Sequence, residues 1–190
     1  MHSVDLSMDF VLKHRSESDL IEACISKERW AQRVLYEEFY PSMMTVCLRY
    51  SNNRDDALDI LHDGFIKVFK HITKYNMGTS LNAWIKRIMI NTAIDYYRKR
   101  VRRRTEDIEE VYDMTSKDPG IVSILNAKDI LHCLSLLSPS YRAVFNLYVI
   151  EGYSHKEIAG KLNISASTSR SNLVKARSKM RVLLTARGFN

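Results

Sequence analysis

Glycine and proline are scarce in this chain, six and three in 190 residues, so disorder is expected only in short segments. Cysteine is equally sparse. Cys24, Cys47 and Cys133 are far apart and odd in number, and none forms a Cys-x-x-Cys pair or a Cys/His pair at zinc spacing. That argues against a structural metal or redox site and for buried free thiols in a reducing compartment. No apolar run approaches membrane-spanning length, and residues 1–12 lack a basic start followed by a long apolar stretch. The expectation is a cytoplasmic protein with no direct membrane insertion and no cofactor. Strand-type alternation is absent too, which leaves an all-α fold.

What is present is ordinary globular hydrophobicity (45%) with a basic excess, a formal charge of +7 and a pI near 9.3. Lys and Arg that displace counterions from a polyanion gain affinity by releasing them, so nucleic acid is the partner class favoured by charge. Length allows one full-sized domain or two small ones, and the breaks in the hydrophobic pattern must decide.

Apolar residues recur at three- and four-residue steps from Leu20 to Tyr50, as a helix pair. Asp55 and Asp56 open a third helix whose Ala57, Leu61, Phe65, Val68 and Ile72 form one stripe, broken by Gly78 and Thr79. Ser80 caps a fourth helix, with Leu81, Trp84, Ile85, Ile88 and Thr92 on one side and a basic run over 98–104 at its end. Residues 17–104 therefore read as one small helical domain. Residues 105–123 turn acidic and carry Pro119-Gly120, the marks of a flexible linker. A second helical domain covers 124–187: Ser138-Pro139 starts one helix, Ser154 with Glu157 forms a capping box before a short one, and 163–165 turn into a last helix from Ala166 to Leu184.

The last two helices have the dimensions of a helix-turn-helix. The polar side of the second presents Thr168, Arg170, Ser171, Val174 and Lys175, a set able to bond base edges and phosphates and to touch a thymine methyl. Residues 137–145 (LSPSYRAVF), 152–159 (GYSHKEIA), 162–165 (LNIS) and 168–177 (TSRSNLVKAR) resemble region four of the extracytoplasmic-function sigma factors. Independently, 55–69 (DDALDILHDGFIKVF) resemble region two-point-two of that family, and 81–91 (LNAWIKRIMIN) with Asp95, Arg98 and Lys99 resemble its promoter-melting segment. His62-Asp63 stands where the family usually has Gln-Glu, Ser167 replaces a frequent Gly, and Asn172 a frequent basic residue.

The resemblance implies a subunit that directs core RNA polymerase to promoter DNA, with an anti-sigma factor as regulator. Asp56, Asp59, Ile60, His62 and Asp63 would dock on the clamp helices of the polymerase largest subunit, where Ile60 and Phe65 add apolar contact or pack the domain. Asn76, Gly78, Thr79, Ser80, Lys86, Arg87, Asn91 and Arg98 would serve the minus-ten element, Asn91 and the loop 76–80 capturing a flipped base. Thr168, Arg170, Ser171, Val174 and Lys175, with Tyr148 close by, would meet the minus-thirty-five element.

Two other classes compete: a helix-turn-helix regulator that binds an operator alone, and a helical hydrolase using Asp59, His62 and Asp63 as metal ligands at i, i+3, i+4 spacing. The first predicts tight DNA binding without polymerase. The second predicts a metal-dependent activity lost in Asp59→Ala.

Overall fold

A computed structural model describes residues 16–106 and 127–188, and within them the chain is helical throughout, with no strand. Most of the expected linker, 107–123, lies outside the described residues, as do 124–126 and most of the N-terminal 1–16. The first module holds α1 (Glu17–Ile25), α2 (Arg29–Tyr50), α3 (Arg54–His71) and α4 (Leu81–Glu106). The second holds α5 (Ala127–Ser135), α6 (Pro139–Phe145), α7 (His155–Leu162) and α8 (Ala166–Thr185).

Local chemistry sets most boundaries. Ser16 and Asp19 form a reciprocal capping box on α1. Asn53 caps α3 by accepting from the Asp56 N–H at 2.7 Å, and the Asp55 and Asp56 carboxylates sit at the positive end of the helix dipole. Ser80 accepts from the Ala83 N–H at 3.2 Å to start α4. Ser154 and Glu157 cap each other's groups on α7, and Asn163 closes that helix in the left-handed conformation, φ 55°. Ser165 then starts α8, so the turn is 163–165, as the sequence predicts.

Two boundaries differ from expectation. The α-helical geometry of α3 stops at His71, and Ile72–Lys74 continue as a 3-10 turn, so Ile72 is buried from a tighter turn than the periodic stripe implies. Likewise α6 stops at Phe145, and Asn146–Ile150 wind as a π-helical turn instead of continuing to Gly152. Bulged turns of this kind cluster at functional sites, and this one faces the first module.

Leu35, Leu61, Phe65, Ile85 and Met89 form the centre of the first core, and α3 crosses α4 so closely that a Cβ on Gly64 would lie 2.2 Å from Met89 Sδ. Cys133, Leu134, Leu137, Ala176 and Met180 make a smaller cluster in the second module. Ala143, Val144, Leu147, Ile158 and Leu162 belong to the larger cluster, so apolar packing runs across the boundary between modules. All three cysteines are free and buried. Burial pushes the thiols up, Cys24 to about 11 and Cys47 to about 12, which keeps them as unreactive thiols.

Candidate polymerase and promoter surfaces

On α3, one turn separates Asp56, Asp59 and Asp63, and these line an open cleft of about 580 Å³ with His62, Tyr96, Lys99 and Arg100. Asp56 is committed internally: Tyr96 Oη donates to it at 2.7 Å and Arg100 pairs with it at 2.9 Å. Asp59, His62 and Asp63 are exposed, and neither Asp59 nor Asp63 pairs with a cation among the described residues. Ile60 and Phe65 are 1% and 2% exposed, so they pack the core and offer nothing to a partner. The acid surface is narrower than the sequence suggests. Among the described residues no group of three or more His, Cys, Asp or Glu side chains has the arrangement to hold a metal ion.

The loop 76–80 is built around Gly78 at φ 86°, a conformation costly for any other residue. Thr79 donates both its N–H and its hydroxyl to the Asn76 carbonyl, and the Tyr75 phenol donates to the Thr79 carbonyl. Tyr75 is 7% exposed and packs edge-on to Trp84 at 5.6 Å, so these two aromatics fasten the loop to α4. Asn76, Gly78, Thr79 and Ser80 are all exposed, although the Ser80 hydroxyl is already used as the helix cap. Along α4, Arg87, Asn91 and Arg98 are exposed and Lys86 is half-buried. Lys86, Asn91 and Arg98 all touch the second module: Lys86 pairs with Glu151 at 2.8 Å, Lys161 donates to Asn91 at 3.4 Å, and Arg98 donates to the Gly160 carbonyl at 3.3 Å.

On α8, Thr168, Arg170, Ser171, Val174 and Lys175 are exposed, Val174 to 68%. Two hydroxyls are partly spent: Thr168 shares a contact with Ser165 at 2.8 Å, and Ser171 donates to the Thr168 carbonyl. Tyr148 is half-buried and stacks on His155 at 4.5 Å, with the Arg177 guanidinium 5.7 Å from its ring centre. His155 Nδ1 meets the Ser169 hydroxyl at 2.9 Å, and Ser169 is fully buried. This group locks α7 to α8. Desolvation lowers the His155 pKa, and the nearby Arg170 and Arg177 charges lower it further, so the ring stays neutral near neutral pH.

Neither His155 nor Ser169 stands out as a site residue in the sequence. The signal for Ser169 was available, since it falls in phase with Leu173, Ala176 and Met180 on the inward side of α8.

Because Arg170 and Lys175 are both exposed on α8 but differ in chemistry, their substitutions should separate. Arg170→Ala is expected to cost about 1 to 3 kcal/mol of specific DNA binding and relax preference at one base pair, as for loss of a bidentate contact. Lys175→Ala should weaken all sequences alike and flatten the salt dependence. A salt titration with cognate and scrambled duplexes reads both, and equal negligible effects would reject this helix face.

Against this geometry stand the relatives. The family pattern described as Sigma-70 region 2 matches residues 35–103, and that described as Sigma-70, region 4 matches residues 127–180. The ECF RNA polymerase sigma factor SigE of Mycolicibacterium smegmatis is 35% identical over 138 residues, 70% of this chain and 53% of that protein, so the chain spans about half its length. The ECF RNA polymerase sigma factor EcfG of Rhodopseudomonas palustris is 30% identical over 149 residues, 78% of this chain and 82% of that protein. The sigma factor RpoE from Bartonella quintana, solved in complex with the anti-sigma factor NepR, has the same fold at a TM-score of 0.51 and 23% identity, covering 80% of this chain and 96% of that one. With both family regions matched in order on two helical modules, the chain belongs to the extracytoplasmic-function RNA polymerase sigma factors of the sigma-70 family.

Proposed function

We propose a division of labour within this sigma factor in which residues 17–104 bind core polymerase and the minus-ten element, and 124–187 bind the minus-thirty-five element. Asp59 and Asp63, with His62 between them, are the docking surface for the clamp helices of the largest subunit. The loop 76–80 and Asn91 hold a base extruded from the minus-ten element, and Lys86, Arg87 and Arg98 track phosphates. Thr168, Arg170, Ser171, Val174 and Lys175 read the upstream duplex, with Tyr148 and His155 positioning their helix. No catalytic step is assigned to the chain. The chain acts in the cytoplasm, where core polymerase meets promoter DNA; no helix among the described residues is long and apolar enough to cross a membrane. By analogy with the Bartonella quintana complex, an anti-sigma factor is the expected regulator.

The observation that carries this reading is the pairing of a helix-turn-helix with a separate, braced, glycine-containing loop beside a basic helix. An operator-binding regulator has use for the first and none for the second. Transcription in vitro with core polymerase and genomic DNA should give discrete mapped start sites only when this chain is added. On a promoter so identified, Asn91→Ala should retain polymerase binding yet lower permanganate reactivity of unpaired thymines about tenfold, an energy of about 1.4 kcal/mol within the few that extrusion costs. A pre-melted template should partly restore transcription. Wild-type reactivity in both Asn91→Ala and Gly78→Val would move strand opening elsewhere.

A further inference from the structure

Tyr75 stands at the join between the 3-10 turn and the loop 76–80, its ring buried against Trp84 and its phenol facing two acceptors at once. One is the Thr79 carbonyl at the far end of the loop. The other is Glu17 Oε1, in the first turn of α1, at 3.2 Å. The helix α1 is held beside the 3-10 turn because Ile21 and Ile72 are buried in one core. Glu17 and Tyr75 are 58 positions apart, so no local signal announces the contact.

A carbonyl and a carboxylate only accept, and a phenol has one proton to give. The Tyr75 proton is therefore divided. On Thr79 it pins the loop, and on Glu17 it releases it. What is pinned is a peptide plane: in a trans peptide the C=O and N–H point opposite ways, so holding the Thr79 carbonyl on the buried phenol turns the Ser80 N–H toward the exposed side of the loop. That N–H has no acceptor among the described residues, and the Ser80 hydroxyl is used by the Ala83 N–H. Thr79 also makes the loop's own bonds, its N–H reaching the Asn76 carbonyl at 3.2 Å and its hydroxyl at 2.7 Å.

We propose that Tyr75 is a positioning residue for base capture: its proton on Thr79 aims the Ser80 N–H at an acceptor on the extruded base, and Glu17 competes for that proton and loosens the loop. Bases carry acceptor oxygens and ring nitrogens along edges that are free once the base leaves the helix. The N-terminal helix thereby bears on base capture from outside the loop. This rests on the minus-ten reading given above, so its test begins with a readout that needs no DNA.

The Thr79 N–H, bonded inside the loop, reports loop opening through its exchange with water, measured by NMR on the isotope-labelled full chain. Tyr75→Phe keeps the ring against Trp84 and removes the proton, and should speed this exchange about three- to tenfold, the worth of one net hydrogen bond. Glu17→Ala removes the competing acceptor and should slow it about twofold, as for a proton shared evenly that becomes committed to Thr79. Glu17→Gln keeps an acceptor at the same reach and should stay near wild type. The second readout uses the full chain assembled with core polymerase. Its probe is a fluorescein-labelled single-stranded DNA with the non-template minus-ten sequence of a promoter mapped as above, each base in turn replaced by an abasic unit. Tyr75→Phe should shrink the abasic penalty at one position by about three- to tenfold and leave the others, and the helicity, unchanged. Glu17→Ala should keep that penalty at or above its wild-type value.

Unchanged Thr79 exchange in Tyr75→Phe overturns the brace, whatever the DNA result. Faster exchange in Glu17→Ala with helicity retained overturns the shared proton, because Glu17 is then a support of Tyr75 and not its competitor; this variant alone decides if Tyr75→Phe does not fold. Faster exchange in Tyr75→Phe with an equal loss at every base overturns the positioning role. In that case the Asn91→Ala measurement decides the minus-ten reading separately, which stands if permanganate reactivity falls.

Discussion

Asp59→Arg combined with Asp63→Arg should abolish co-purification of the chain with core RNA polymerase while leaving its helicity by circular dichroism at the wild-type level. The reason lies in which carboxylates are available. Asp56 is bound by Tyr96 and Arg100, so reversing its charge would damage the α3–α4 contact and confuse folding with docking. Asp59 and Asp63 are exposed, lie one turn apart on the same helix face, and hold no internal ion pair among the described residues. Reversal therefore disturbs little inside the module. At an interface with basic or hydrogen-bonding groups, loss of one charged partner costs about 2 to 5 kcal/mol, and a reversal adds repulsion. Two such losses, even at the lower figure, total about 4 kcal/mol, close to a thousandfold in affinity. A pull-down and a titration by fluorescence anisotropy both resolve that. Retained binding within threefold would place the polymerase contact on another face, while loss of binding with loss of helicity would leave the single variants Asp59→Asn and Asp63→Asn to decide.

The same helix shows how much of this was readable in advance. Period and caps are local properties, so α3, α4, α7 and α8 and the three-residue turn between the last two follow from runs of residues within one or two turns of each other. The acid positions Asp59 and Asp63 were legible for the same reason. Ile60 was not, because its side chain lies between two faces of the helix and only the packing of α2 and α4 around it determines which one it serves. The π-helical turn over Asn146–Ile150 was hidden as well. Its residues read as a continuous apolar helix, and it is the contact with the end of α2, ninety-seven positions earlier in the chain at Arg49, that accompanies the bulge. The contacts of Lys86, Asn91 and Arg98 with the second module are of the same long-range kind. The sequence treats the linker as flexible and the modules as separate, and nothing in a period of 3.6 encodes Glu151 meeting Lys86.

Arg142→Ala should lower the stability of the second module by about 3 to 5 kcal/mol, because it leaves up to three buried carbonyls without their donor at about 1 to 3 kcal/mol each. In the sequence Arg142 falls inside the region-four resemblance over 137–145, which assigns it no role. In the fold it is 1% exposed and faces inward. Its guanidinium donates to the Ser135 carbonyl at 2.7 Å, the Leu137 carbonyl at 2.9 Å and the Ser51 carbonyl. Ser135 ends α5 and Ser51 caps α2, so the cation sits where two helices present unpaired carbonyls and the negative ends of their dipoles. Arg142→Lys keeps the charge but replaces a planar fork by a single ammonium on a shorter reach, and should recover less than half of the loss. Urea unfolding followed by Tyr fluorescence gives the free energies, and amide exchange over α5 to α8 localises them. A loss below about 1 kcal/mol would mean that the carbonyls find other partners and that the buried cation is not what holds α5 to α6.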